Sequence, residues 1–155
     1  MPLLINNTYQ NVFYDFVIDS VRDTLITEFN YGKIYVAPEK LYDDPFSIRI
    51  WGTNHSLDNY RAGEWVKEYS LDIVMFAKIE NKEQSYKQFY ADQERIFQSL
   101  WNTYKGSTAK TLNGVTIHLT SGFANDIEIL TPEETDEENL YSANFSFTIL
   151  ANRSD

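Results

Sequence analysis

The sequence predicts an α+β domain, a mainly antiparallel sheet packed by two helices. Three observations carry that prediction. Two long stretches place apolar residues at spacings of three and four, and six shorter stretches alternate apolar with polar. No internal repeat, low-complexity linker or composition shift divides the 155 residues, so residues 1–155 are read as one domain. The order of elements is α-β-β-β-α-β-β-β, and one sheet covered by two helices is the economical way to bury those faces.

The first helix is expected over Thr8–Asn30. Val12, Phe13, Phe16, Val17, Val21, Leu25 and Phe29 form its apolar stripe, and Asp15, Asp19, Arg22 and Asp23 can face solvent. Asn7 with Gln10 resembles a capping box, and Gly32 is a plausible stop. Two short strands follow, Lys33–Ala37 and Phe46–Trp51. In the second, Phe46, Ile48 and Ile50 share a face and Ser47 and Arg49 point away from it. The stretch from Gly52 to Gly63 is polar, with Asn54, His55, Asp58, Asn59 and Arg61, and reads as a mobile loop.

The strongest strand signal is Glu64–Ile79. Trp65, Tyr69, Leu71, Ile73, Met75, Ala77 and Ile79 occupy one parity, with Glu64, Glu68, Ser70, Asp72 and Lys78 on the other. Fully extended it would reach roughly 50 Å, against a diameter of roughly 40 Å for a compact domain of this size. It therefore either bends at a bulge or projects as a long strand or hairpin. A projecting ribbon would carry unpaired edges useful in an assembly, with Arg61, Trp65, Lys67 and Tyr69 as its candidate inter-subunit arm. The second helix is expected over Lys82–Tyr104, with Tyr86, Phe89, Tyr90, Ile96, Phe97, Leu100, Trp101 and Tyr104 on its apolar face and Gly106 beyond its end. Strands are then expected around Val115–Thr120, Asp126–Leu130 and Tyr141–Ile149, the last two separated by the acidic run Glu133, Glu134, Asp136, Glu137, Glu138.

Charge and composition exclude several functions. Thirteen basic against 23 acidic residues give a formal charge of −10, which repels phosphate backbones and anionic lipids. There is no cysteine, hence no disulfide and no thiolate chemistry. Met1–Asn11 does not have the pattern of a signal peptide, and the longest apolar run, Ile73–Ala77, is too short to span a membrane. Aromatic residues make up 15% of the chain, as suits a β-rich core or a subunit with large interfaces.

Catalytic, cofactor-binding and metal-binding residues are not expected. The two histidines, His55 and His118, do not form a pair at ligand spacing. Glycines at 32, 52, 63, 106, 114 and 122 fit neither a phosphate cradle nor a nucleophile elbow. Glu80-Asn81-Lys82, with Asp58 or Asp72 upstream, has the acid-x-Lys composition of a metal-dependent nuclease. Asn81 reads better as a helix cap, which carries Lys82 into the first turn and away from Glu80. The run from Glu133 to Glu138 lacks the spaced ligands and central glycine of a calcium loop, and reads as a solvated loop.

The sequence Gly32-Lys33-Ile34-Tyr35-Val36-Ala37-Pro38 resembles the G-[RK]-[IV]-Y segment of tailed-phage tail-terminator (tail-completion) proteins. The resemblance extends from about Val12 to Asn152 through the strand Trp65–Ile79, the helix opening Asn81–Tyr86, the G-V-x-V-like Gly114-Val115-Thr116-Ile117 and the closing Tyr141–Ile149. It implies a structural virion protein without enzymatic activity or cofactor. Such a subunit forms a homohexameric ring that caps the tail tube, ends its polymerisation and docks on the head-side connector, while DNA passes through the lumen without tight binding. The chain would be made in the host cytoplasm and reside at the head–tail junction, with no membrane partner. A tube protein or connector adaptor on a related fold is the alternative. Asp58, Glu133, Glu134, Asp136, Glu137 and Glu138 are the candidate acids lining or rimming the channel, because they lie in polar loops.

Overall fold

The computed structural model describes residues 10–30, 34–36, 46–61, 64–79, 83–121, 127–130 and 140–154. Within them the architecture is α+β, with two helices on a curled, mainly antiparallel sheet of seven strands. The first helix opens as a π-helical segment, Val12–Ile18, and runs directly into α1, Asp19–Phe29. The Asn11 side chain accepts from the backbone N–H of Tyr14 at 3.3 Å, so the cap belongs to Asn11. The helix ends on Asn30, not on a glycine. Asn30 takes the left-handed conformation (φ 50°) that a short polar side chain tolerates, and its N–H returns to the Ile26 carbonyl.

The strands are β1 (Ile34–Tyr35), β2 (Phe46–Arg61), β3 (Glu64–Lys78), β4 (Thr108–Leu112), β5 (Val115–Ser121), β6 (Ile127–Leu130) and β7 (Leu140–Ser154), with α2 (Glu83–Tyr104) between β3 and β4. Their lateral order is β1-β2-β3-β7-β5-β4, and β6 also pairs with β7. β5 covers Ile149–Arg153 of β7 and β6 covers Ser142–Phe145, so the two lie in succession along one edge of it. Among the described strands only β1 and β2 pair in parallel.

Two expectations are corrected. The segment from Gly52 to Arg61 is not a loop, because β2 continues through it opposite β3 to the pair Arg61↔Glu64. β3 offers a long ladder on each edge, and this segment, next to it in sequence, pairs along one of them. Its low strand propensity, from Asn54, Asp58 and Asn59, is overridden by that pairing. Second, β3 is not an arm with unpaired edges. It is bonded to β2 on one side and to β7 without interruption from Glu64↔Ser154 to Lys78↔Leu140 on the other. The bend falls in β2, which carries register shifts at Gly52/Asn54 and Leu57/Asn59.

A further strand, β4, was not expected. It pairs with β5 across Asn113 (φ 53°) and Gly114 (φ 79°), the Asn-Gly dipeptide of a tight hairpin turn. Lys110 of β4 then donates to the Asp15 carbonyl at 2.6 Å and pairs with Asp19 at 3.5 Å. The far edge of the sheet is thus brought back to the first helix, and this is where the curl is pinned.

The core lies between the helices and the concave face. Phe16, Val17, Val21 and Leu25 from the first helix meet Ile48, Ile50, Leu71, Ile73, Met75, Ala143, Phe145 and Ile149 from the sheet, with Ile96, Leu100 and Tyr104 from α2. The opposite face is not simply solvated. Ser47 and Arg49, expected to point outward, are both fully buried, with Val74 and Ser142 nearby in register. The Arg49 guanidinium lies 4.3 Å from the centre of the Tyr35 ring, a contact that offsets part of the cost of burying its charge.

Candidate assembly surface and the acidic residues

The four residues proposed for an arm fall in different environments. Tyr69 is core, 2% exposed, and burial pushes its phenol up to about 12, so it stays neutral at any ordinary pH. Phe13 meets its ring edge-on at 4.8 Å, and His55 stacks on it at 5.6 Å with planes 9° apart. Lys67 is half-buried beside this stack, with Nζ 4.9 Å from the centre of the Tyr69 ring. The same Nζ lies 2.7 Å from His55 Nδ1, within hydrogen-bond distance. Trp65 packs half-buried against the core. Arg61 is the last residue of β2, opposite Glu64, and its side chain lies outside the described residues.

These positions come together because β2 and β3 are in register. The row Tyr60, Trp65, Arg153, Ile117, Lys110 runs straight across five strands, so the hairpin end is part of a wide sheet and not a free ribbon. What is open is the outer edge of β2. β1 pairs with it at Ile48 and Arg49, and among the described residues no strand lies beside it from Ile50 to Arg61. Residues 52–57 on that stretch are all exposed.

Of the candidate channel acids, Asp58 lies within β2, at the second register shift, with its side chain outside the described residues. Glu133, Glu134, Asp136, Glu137 and Glu138 lie outside them altogether, as does Glu80-Asn81-Lys82. Asp72, the other acid of the nuclease reading, faces the side of the sheet opposite the helices, between Trp51 and Ser146 in register. Partial burial raises its carboxyl above the usual range, and a hydrogen bond from Ser146 opposes this. A carboxyl raised on folding binds its proton more tightly in the native state. The penalty from Asp72 is absent below the unfolded value of 3.8 and sets in as pH climbs from there through the raised value. Asp72→Asn is therefore expected to gain stability relative to the wild type between acid and neutral pH. Urea melts at a series of pH values check this, and a difference that does not grow with pH would contradict it.

A polar cleft of about 530 Å³ opens between α1, α2 and β4, lined by Ser20, Asp23, Thr24, Ser99, Thr103 and Lys110 among others. At its side the Ser20 and Tyr104 hydroxyls lie 2.5 Å apart. Burial raises the Tyr104 phenol, opposed by hydrogen bonding with Ser20 and Thr24. Thr24 donates to the Ser20 carbonyl, Ser99 to Ile96 and Thr103 to Ser99, so much of the hydroxyl lining is already committed to backbone. Among the described residues no three His, Asp or Glu side chains converge as metal ligands.

No family model and no curated protein matches the chain. Among the described residues no helix is long and apolar enough to cross a membrane.

The sequence reading missed the exposed apolar side chains outside the hairpin. Tyr90 and Trp101 on α2 are 55% and 41% exposed, and Ile127 and Ile129 on β6 are each 40% exposed. A signal was present. The apolar stripe of α2 includes Tyr86, Tyr90, Phe97 and Trp101 as well as Phe89, Ile96 and Leu100, more than one helix neighbour and one sheet can cover.

Proposed function

We propose that this chain is a ring-forming structural subunit of a tailed-phage virion, of the tail-terminator kind. In this reading it caps the tail tube, ends tube growth and joins the tail to the head-side connector, with DNA passing through the lumen. The observation that carries the reading is the outer edge of β2 from Ile50 to Arg61, a long run of main-chain donors and acceptors beside which no strand lies among the described residues, with residues 52–57 exposed. A lone molecule gains nothing from such an edge, whereas a subunit that must meet a neighbour does. The two register shifts break the edge into short ladders, which disfavours indiscriminate strand addition and favours one fitted partner. The acidity supports a lumen that DNA traverses without sticking, since a formal charge of −10 opposes phosphate contacts.

The experiment is sedimentation of the purified chain with tail tubes assembled from the same virion. One copy-ring at a tube end and an end to tube growth support the proposal. Tubes built of this chain itself would make it a tube protein instead. A second expectation concerns the acids. Replacing Asp58, Glu133, Glu134, Asp136, Glu137 and Glu138 by their amides should raise affinity for duplex DNA at low salt, read by gel shift. Unchanged affinity would remove these residues from the channel.

A further inference from the structure

The large apolar side chains exposed among the described residues fall into two sets. Tyr14 and Leu57, 43% and 55% exposed, sit on the π-helical segment and on β2. These two elements are held together by Phe13, which meets Gly52 and His55. Tyr90, Trp101, Ile127 and Ile129 sit on α2 and β6. Two strands, β3 and β7, separate β2 from β6, so the sets lie towards opposite lateral edges of the sheet.

Each set has a coherent geometry. On α2, Tyr86, Tyr90, Phe97 and Trp101 recur at spacings of four, seven and four, which lines them along one flank. Phe97 and Trp101 are in ring contact at 6.1 Å. Arg95 on another side of α2 bonds Glu28 at the end of α1, so the aromatic flank is the one turned away from α1. Ile127 and Ile129 pair with Phe145 and Ala143, which face the helices, so β6 presents both isoleucines on the same side of the sheet as α2. Leu57 pairs with Lys67, which shares the parity of Tyr69 and Leu71, so it too faces the helix side.

We propose that the outer flank of α2 together with β6 is the receiving half of a head-to-tail contact, and that its occupant is the β2 edge of a second copy of this chain. The inference rests on the ring reading above and names the surfaces that close the ring. Two different patches on opposite sides of a subunit are what a heterologous interface requires, and such an interface closes when its rotation allows. Both patches lie on the helix side of the sheet, so joining them needs no inversion of one copy against the next. Charge agrees. Lys67 on the donor side meets an imidazole and a ring but no carboxylate among the described residues, and the exposed Glu94 lies beside Tyr90 and Phe97 on the receiving flank. An isologous pairing of aromatic flanks would leave Leu57, Tyr14 and the β2 edge uncovered.

The test uses two full-length variants, Tyr90→Ser/Trp101→Ser on the receiving side and Leu57→Asp on the donor side, followed by native mass spectrometry and sedimentation velocity. All three side chains are substantially exposed, so thermal melts of the variants should match the wild type. Should either variant melt early, Trp101→Gln and Leu57→Gln replace them. Each variant alone should remain monomeric at concentrations where the wild type assembles, with affinity weakened about tenfold or more, as for loss of a central aromatic or aliphatic anchor. Mixed in equal amounts they should form dimers and stop there, since each supplies the one patch the other retains. Wild-type assembly that survives both sets of substitutions overturns this surface assignment and leaves the ring standing. A mixture that stays monomeric, or a donor variant that dimerises alone, overturns the head-to-tail pairing. A wild type that is monomeric throughout removes the ring reading itself.

Discussion

Phe16→Ala should lower the stability of the folded chain by about 3–5 kcal/mol, the range for truncating a fully buried phenylalanine. Phe16 is 0% exposed and sits in the π-helical segment, where the wider turn sets it among the core side chains of the sheet. The loss is a large part of the roughly 5–15 kcal/mol that holds a domain together. At this chain length it corresponds to a melting temperature lower by about 6–20 °C. Chemical denaturation at neutral pH measures it, and a loss below about 1 kcal/mol would mean that the π-helical segment does not pack on the sheet as described.

Gly52→Ala is the second large effect, and its cause is contact between residues far apart in sequence. A Cβ at position 52 would lie 2.3 Å from Cζ of Phe13 and within 3.0 Å of two more ring atoms. The ring cannot stay where it is. It is held edge-on by His55 at 5.3 Å and by Tyr69 at 4.8 Å, so moving it disturbs the stack that joins the first helix to β2 and β3. Overpacking of this kind costs about 1–3 kcal/mol. The sharper readout is a double-mutant cycle with Phe13→Ala. Once the ring is gone the alanine at 52 has room, so the two losses should fall short of additive by about 0.5–3 kcal/mol. Strict additivity would show that Gly52 and Phe13 do not meet.

That contact also marks where sequence reasoning reached its limit. The long helices and β3 were legible because each is an uninterrupted periodic pattern whose apolar residues face one way. β7 was legible in part, since its alternation from Tyr141 to Ile149 is clean, but pairing with β3 and β5 carries it to Ser154. The second half of β2 was not legible. Gly52, Asn54, Asp58 and Asn59 oppose a strand locally, and only the ladder to β3 overrules them. Gly52 reads as a loop border in sequence, while in the fold it is a strand residue that makes way for an aromatic ring. β4 was legible in principle, because Asn113-Gly114 is a strong hairpin signal with alternating residues on both sides. Arg49 was assigned outward by parity, correctly as to face, but parity does not reveal that this part of the second face is covered. For the proposed assembly surface, the sequence pointed to the hairpin. It did not point to α2 and β6, because exposure of Tyr90 and Ile127 depends on which neighbours cover them, and that is a property of the fold.

The proposed function requires that this subunit close with further copies of itself into a ring. Native mass spectrometry of the purified full chain, over a range of concentrations and followed by particle imaging, tests it most directly. One closed oligomer is expected, six copies if the resemblance to tail terminators holds, seen as annular particles with an open centre. A chain that remains monomeric at the highest concentration reached would contradict it.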